Sequence, residues 1–159
     1  MKTFVYECEQ TLASPIDEVF AFFADAHNLE VITPRWLHFD VLTPRPIDMK
    51  VGPLIDYRLR WRGVPLKWQT EIMAWEPTRR FVDRQKYGPY RKWVHTHSFT
   101  DLGGGVTHAH DRVEYAVPLP WLTHRFFVRP DVERIFAHRR KVLAERFGDT
   151  TRRAPVLAA

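Results

Sequence analysis

The stretch Tyr87-Gly88-Pro89-Tyr90-Arg91-Lys92-Trp93-Val94-His95-Thr96-His97-Ser98-Phe99 decides how this chain is read. After the Gly88-Pro89 break, Trp93, His95, His97 and Phe99 recur with period two. Successive side chains of a strand point to opposite faces, so these four share one face and Val94, Thr96 and Ser98 the other. Two histidines between two large aromatics suit neither a solvated face nor a plain apolar core. They suit the wall of a cavity that holds a small molecule through a few placed polar groups.

Strand patterns extend on both sides of this segment. Lys92 to Asp101 and Val106 to Val117 flank Gly103-Gly104-Gly105, which is hairpin chemistry. Arg80 to Lys86 precedes the Gly88-Pro89 turn. Leu54 to Trp61 and Leu66 to Trp75 meet near Arg62-Gly63, and Phe39 to Thr43 lies before a proline-rich connection. At the N-terminus, Phe4 to Leu12 reads as a strand with Phe4, Tyr6, Cys8 and Gln10 on one face. Ser14-Pro15-Ile16-Asp17 then reads as a helix start, with serine as cap, proline at the first helical position and an acid in the positive first turn. Ile16, Val19, Phe20 and Phe23 form one apolar stripe. A second short helix is expected from Asp25 to Val31, before Pro34. Beyond Pro118-Leu119-Pro120, the residues Val132, Ile135, Phe136, Val142, Leu143 and Phe147 mark a long amphipathic helix that Gly148 ends.

This order predicts an α+β architecture: a bent antiparallel sheet wrapped around a long C-terminal helix, with two short helices after the first strand. One ligand-binding domain is expected over residues 1–148 and a frayed tail over 149–159. With 159 residues, 45% of them hydrophobic and 14% aromatic, the chain has enough apolar material for one core. The single cysteine, Cys8, excludes an intrachain disulfide framework and reads as a packed small residue. The alternation through Glu7 and Glu9 is unlike a signal peptide, and no apolar run reaches the roughly 20 residues of a membrane span, so a cytoplasmic location is expected. The net charge of +5 does not make a nucleic-acid footprint. Arg139-Arg140-Lys141 and Arg152-Arg153 read as solvated basic faces, and no phosphate loop or finger signature accompanies them.

The strand–helix order, with Ser14-Pro15-Ile16-Asp17-Glu18-Val19-Phe20 after the first strand, resembles the START-like (SRPBCC) superfamily over roughly Thr3 to Phe147. The middle of the chain is similar to a bacterial stand-alone subgroup. The shared pattern is Phe81-x-Asp83-x-Gln85, Gly88-Pro89-Tyr90, Trp93-x-His95-x-His97-x-Phe99 and Asp111-x-Val113-x-Tyr115. The resemblance implies a helix-grip fold with a cavity between sheet and C-terminal helix. It also implies a binder or carrier of a small hydrophobic molecule of lipid, polyketide or aromatic type with a polar end. The alternative within the superfamily is a polyketide cyclase/dehydratase-like enzyme.

Pairing Thr100 with Val106 would set His95 opposite Asp111 and His97 opposite Ala109, while Phe81, Asp83 and Gln85 share a face of the neighbouring strand. Three readings of His95, His97, Asp83 and Asp111 remain open here: a buried polar network that meets a ligand's polar end, acid–base catalysis, and a metal site. The metal-free account is preferred, because carboxylate–histidine pairs satisfy one another without an ion; neither metal nor cofactor is expected. Candidate ligand contacts are Tyr57, Trp68, Thr70, Asp83, Gln85, Trp93, His95, His97, Phe99, Asp111 and Tyr115. Tyr57, Trp61, Trp68 and Tyr115 could equally be sheet core. His108 and His110 are expected to face outward, and Ser98 lies on the wrong face for a Ser–His hydrolase. Trp121 to Arg129 could be a flap, a membrane-touching patch, a dimer contact or plain packing. A monomer or homodimer, with no nucleic-acid partner and no integral membrane association, completes the expectation.

Overall fold

The structure is a computed structural model that describes residues 1–151. Strand β1 (Phe4–Leu12) leads into helix α1 (Ile16–Phe23), a 3-10 turn, and helix α2 (Leu29–Ile32). Strands β2 (Asp40–Val41), β3 (Leu54–Trp61), β4 (Val64–Glu76), β5 (Arg80–Tyr87), β6 (Lys92–Gly103) and β7 (Val106–Ala116) follow. The chain then turns into helix α3 (Pro120–Thr123), a π-helical turn (His124–Val128) and helix α4 (Arg129–Phe147), which run on without a break. The sheet is antiparallel with order β1-β7-β6-β5-β4-β3-β2. Every neighbouring pair except β1 with β7 is also consecutive in sequence. This is the α+β helix-grip architecture expected from the sequence.

Curvature has local causes. Register shifts interrupt the β4–β5 ladder at Gln69/Thr70 and Ile72/Ala74, and the β6–β7 ladder at Asp101/Gly103. Such irregularities bend a strand and sharpen its twist, so the sheet curls around α4. Helix α4 meets it through Val132, Phe136 and Leu143, all buried. Val132 and Phe136 join Val113, Tyr115 and Val117 in one apolar cluster, and Leu143 joins Leu12, Phe20, Phe23, Phe81 and Phe99 in another. Helix α1 seals that second cluster. The Phe20 ring stands edge-on to Phe81 and Phe99 and tilts against Trp75.

Several local expectations change. Ser14 makes no side-chain cap and Pro15 occupies the cap position. The Ser14 carbonyl instead accepts from Thr107 Oγ1 at 2.7 Å, which staples the helix entry to β7. Residues 149–151, expected in a frayed tail, dock along the free edge of β1. Asp149 bridges Leu12, the Thr150 N–H donates to the Thr11 carbonyl at 2.9 Å, and the Thr11 N–H donates to Thr151 Oγ1. An exposed strand edge leaves unpaired backbone groups, and this short return covers some of them. Gly148 makes the return possible. Its φ is +76°, and a Cβ there would lie 3.1 Å from the Ala13 Cβ. The rest of the expected tail, with Arg152-Arg153, lies outside the described residues. Among the described residues no helix is long and apolar enough to cross a membrane.

Truncating the ring that joins α1 to the sheet should be costly. Phe20→Ala is expected to lower unfolding stability by about 3–5 kcal/mol, as measured by chemical denaturation. A loss well under 1 kcal/mol would show that α1 is not part of the cooperative core.

Candidate functional site

Between the sheet, the α1–α2 region and α4 lies a cavity of about 410 Å³. Its surface is mostly apolar, from residues such as Phe23, Leu29, Ile55, Leu59, Val132 and Phe136. Seven of the sequence-predicted contacts line it: Tyr57, Trp68, Thr70, Asp83, Trp93, His95 and His97. Trp61 lines it as well. Four do not. Gln85 folds back on the β5–β6 turn, its Nε2 donating to the Tyr90 carbonyl at 2.7 Å and its Oε1 accepting the Tyr90 N–H. Phe99 packs with Phe20, Phe23 and Phe81 under α1. Tyr115 is buried beneath α4, with its hydroxyl 3.0 Å from His124 Nε2. Asp111 does not line the cavity and sits behind His95, His97 and Arg139, which do.

The β6–β7 register differs from the expected one by two residues. The hairpin turns tightly at Gly104-Gly105, and Gly103, Gly104 and Gly105 all have φ between +61° and +79°. β6 therefore runs on to Gly103, with a bulge after Asp101. His97 faces Asp111 and His95 faces Val113. A slip of two preserves the faces, so the expected His95–Asp111 contact survives as a diagonal one, with Nε2 2.9 Å from Asp111 Oδ1. Across the other ladder Asp83 stands opposite His95 but bonds diagonally to His97, Nε2 to Oδ2 at 3.0 Å. The two imidazole centroids are only 3.7 Å apart, and the His97 ring stacks on Phe81 at 4.0 Å.

A third charged group completes the cluster, and the sequence reading missed it. Arg139, expected on a solvated basic face, is only 6% exposed. Its Nη2 lies 3.2 Å from His97 Nδ1 and 3.4 Å from Asp111 Oδ1. The guanidinium carbon lies 5.1 Å from the Phe23 ring centroid and 5.7 Å from that of Phe136, covering the cation with ring faces. The signal was present. Arg139 is seven residues after Val132 and four before Leu143, so it falls on the apolar stripe of α4. Asp131, four residues before Ile135, was missed for the same reason. It lines the cavity, is buried, and accepts from Trp61 Nε1 at 2.7 Å and from Arg62.

Carboxylates accept, so an imidazole nitrogen that bonds one does so by donating. His95 Nε2 faces Asp111 and His97 Nε2 faces Asp83, so both are placed to donate, while His97 Nδ1 lies between Asp111 Oδ1 at 3.0 Å and Arg139 Nη2 at 3.2 Å, able to donate to the first when it carries a proton and to accept from the second when it does not. Burial, then the neighbouring His97, lowers the His95 pKa from the ordinary 6.5 to about 4, against the pull of Asp111. Burial would raise Asp111; the Arg139 guanidinium and the two histidine hydrogen bonds outweigh it and hold the carboxyl well below its usual range. Away from this cluster, burial pushes the Cys8 thiol up to about 12, which keeps it protonated and poorly nucleophilic. Asp83, His95 and His97 also offer ligand atoms within 4.8 Å of one another, a spacing one metal ion could span. The adjacent guanidinium works against placing a second positive charge there. His108 and His110 lie on the outer face of the sheet, half-buried beside Glu9 and Glu7.

The lowered His95 pKa sets a pH dependence of stability. Between pH 6.5 and about 4 the unfolded chain binds a proton at this residue and the folded one does not. Stability should therefore fall by about 2–4 kcal/mol as the pH drops through that window. Denaturation midpoints measured across it should lose most of this slope in His95→Gln. Arg139→Met should cost about 3–5 kcal/mol at neutral pH, because it strands Asp111 without its cation. Adding Asp111→Asn to that variant should recover part of the loss.

No family model matches the sequence, and no curated protein matches it. Solved structures do. A Chromobacterium violaceum protein superposes with a TM-score of 0.71 at 16% identity, over 91% of this chain and 97% of that one. The Zhui aromatase/cyclase from Streptomyces sp. R1128 gives 0.71 at 16% identity, over 91% and 93% of the two chains. A START superfamily protein from Mycobacterium smegmatis gives 0.64 at 15% identity, over 90% and 96%. At such identities the likeness is one of fold. On the order of its strands, the grip of its sheet on the C-terminal helix and these superpositions, the chain has the START-like (SRPBCC) fold.

Proposed function

We propose that the protein is a cytoplasmic binding or carrier domain for a small, largely hydrophobic molecule with one polar end. The observation that carries this reading is the 410 Å³ cavity, apolar over most of its wall and polar where Asp83, His95, His97 and Arg139 meet it. Its size falls in the range of small-molecule sites. The charge balance narrows the ligand. Among the described residues, the charged side chains on the wall are the carboxylates of Asp25, Asp83 and Asp131 and the guanidinium of Arg139. Such a wall favours a ligand end that donates hydrogen bonds, a hydroxyl or phenol, over a carboxylate. No resident metal is needed for this, and none is proposed.

Native mass spectrometry of protein from its own host, followed by extraction, should reveal a co-purifying lipid, polyketide or aromatic molecule. Ile135→Trp, which adds bulk to the cavity wall from α4, should weaken binding of that molecule about tenfold or more. Ligand-free protein from the host, with no uptake of lipids or hydroxylated aromatics, would sink the proposal.

A second reading has one observation in its favour: both histidines line the cavity and each is held by a carboxylate. In a cyclase or dehydratase, His95 or His97 would move the proton and Asp111 or Asp83 would orient it, a contribution of about 10²–10⁴-fold. Turnover of a polyketide-like substrate that survives His95→Gln with His97→Gln would exclude both as the catalysts.

A further inference from the structure

The stretch from Leu119 to Arg129 presents two different sides. Inward, Thr123 and Val128 line the cavity, and His124 stacks on Phe4 with ring centroids 3.4 Å apart. Outward, Leu119, Trp121, Leu122, Phe126 and Phe127 are all exposed, Trp121 by 74% and Phe126 by 61%. The π-turn at His124–Val128 contributes to this split. Its wider winding takes neighbouring side chains off the 3.6-residue stripe that α4 presents to the sheet. Five large apolar side chains in one short stretch are more than the scattered exposure of an ordinary surface.

Within the stretch itself the charge has one sign. No Asp or Glu occurs between Tyr115 and Pro130, whereas Arg125 and Arg129 do. Lys2 sits over Phe4, which stacks on His124, and the Arg62 guanidinium lies 5.3 Å from the Phe127 ring. Arg91 is exposed beside the start of the stretch, its backbone N–H bonded to the Ala116 carbonyl. The nearby acids are Asp131, which is buried, and Glu133, which is paired with Arg129.

We propose that this face seats the protein on the surface of an anionic lipid bilayer, with Trp121 and Phe126 at headgroup depth and the arginines against the phosphates. Amphipathic aromatics partition into the interfacial layer, and each surface Lys or Arg adds attraction to anionic lipid. A second copy fits less well, because a two-fold contact would set the same cations against one another. Nucleic acid offers nothing to Leu119 and Leu122. The seat places the side of the cavity formed by Pro118, Thr123 and Val128 against the bilayer. It does not depend on what the cavity holds.

Co-sedimentation of the full chain with large unilamellar vesicles tests this, using phosphatidylcholine alone and phosphatidylcholine mixed with phosphatidylglycerol. Binding is expected to the mixed vesicles and to weaken with added salt. Trp121→Ser with Phe126→Ser should lower the partition coefficient about tenfold or more. Arg125→Glu should lower it several-fold on the anionic vesicles only. Met73→Ser, an exposed apolar residue on β4, should leave it unchanged, and circular dichroism checks that each variant is folded. Absence of binding to both vesicle types, or equal binding by parent and double variant, would overturn the proposal. So would a dimer in light scattering that the double variant abolishes while vesicles stay unbound, since the face would then belong to a second copy.

Discussion

Two carboxylates, Asp83 and Asp111, stand on strands whose inward neighbours are largely aromatic and aliphatic. Ionised groups cannot enter such a place alone, because desolvation costs several kcal/mol for each ion unless partners replace the lost water. Here the network is drawn from four elements. β6 supplies His95 and His97, β5 and β7 supply the acids, and α4 supplies Arg139. The C-terminal helix is thus joined to the middle of the sheet by a polar bridge as well as by the apolar contacts of Val132, Phe136 and Leu143. Apolar packing tolerates sliding by a turn more readily than a buried ion pair does, since a slip would strand the charge. The bridge therefore fixes the register of helix on sheet.

The same bridge bears on the cavity. Arginine is long, and its guanidinium reaches Asp111 and His97 from a helix whose neighbouring stripe positions hold Phe136 and Leu143. Rings of Phe23 and Phe136 cover the cation. The space beyond, toward β3 and β4, is walled by Tyr57, Trp68 and Ile72 and is left open. At the far end, Asp131 binds Trp61 and Arg62 from the β3–β4 hairpin. Asp131 and Arg139 are eight residues apart on α4, about 12 Å along a helix. The roof of the cavity is pinned at two points, with an apolar interval between them.

The fold was legible because each element carried its own signal. Period two in Trp93, His95, His97 and Phe99, the glycine triplet and the stripe from Val132 to Phe147 gave the elements, and their order gave the architecture. The inward face of β6 was also legible, since alternation survives any slip of two. What failed was whatever depended on the exact length of a turn. The triplet Gly103-Gly104-Gly105 permits several hairpin lengths, and composition does not choose among them. The larger omission, Arg139, came from reading Arg139-Arg140-Lys141 as a unit, although helical spacing sends adjacent residues to different faces. A charged residue in phase with an apolar stripe marks a buried partner. Gln85 shows the limit of alternation: it shares a face with Asp83, yet a turn whose backbone needs capping takes its side chain.

The protonation pattern bears on whether such a site holds or transforms its ligand. A general acid–base group works best with a pKa near the operating pH, free to exchange its proton with substrate. His95 has a pKa near 4 and bonds Asp111 through Nε2; His97 bonds Asp83 through Nε2, and its Nδ1 sits between Asp111 and Arg139. Moving a proton would require breaking one of these bonds inside a low-dielectric wall, with the partner carboxylate left short of a donor. A ligand hydroxyl that only accepts or donates a hydrogen bond at this wall requires no such exchange.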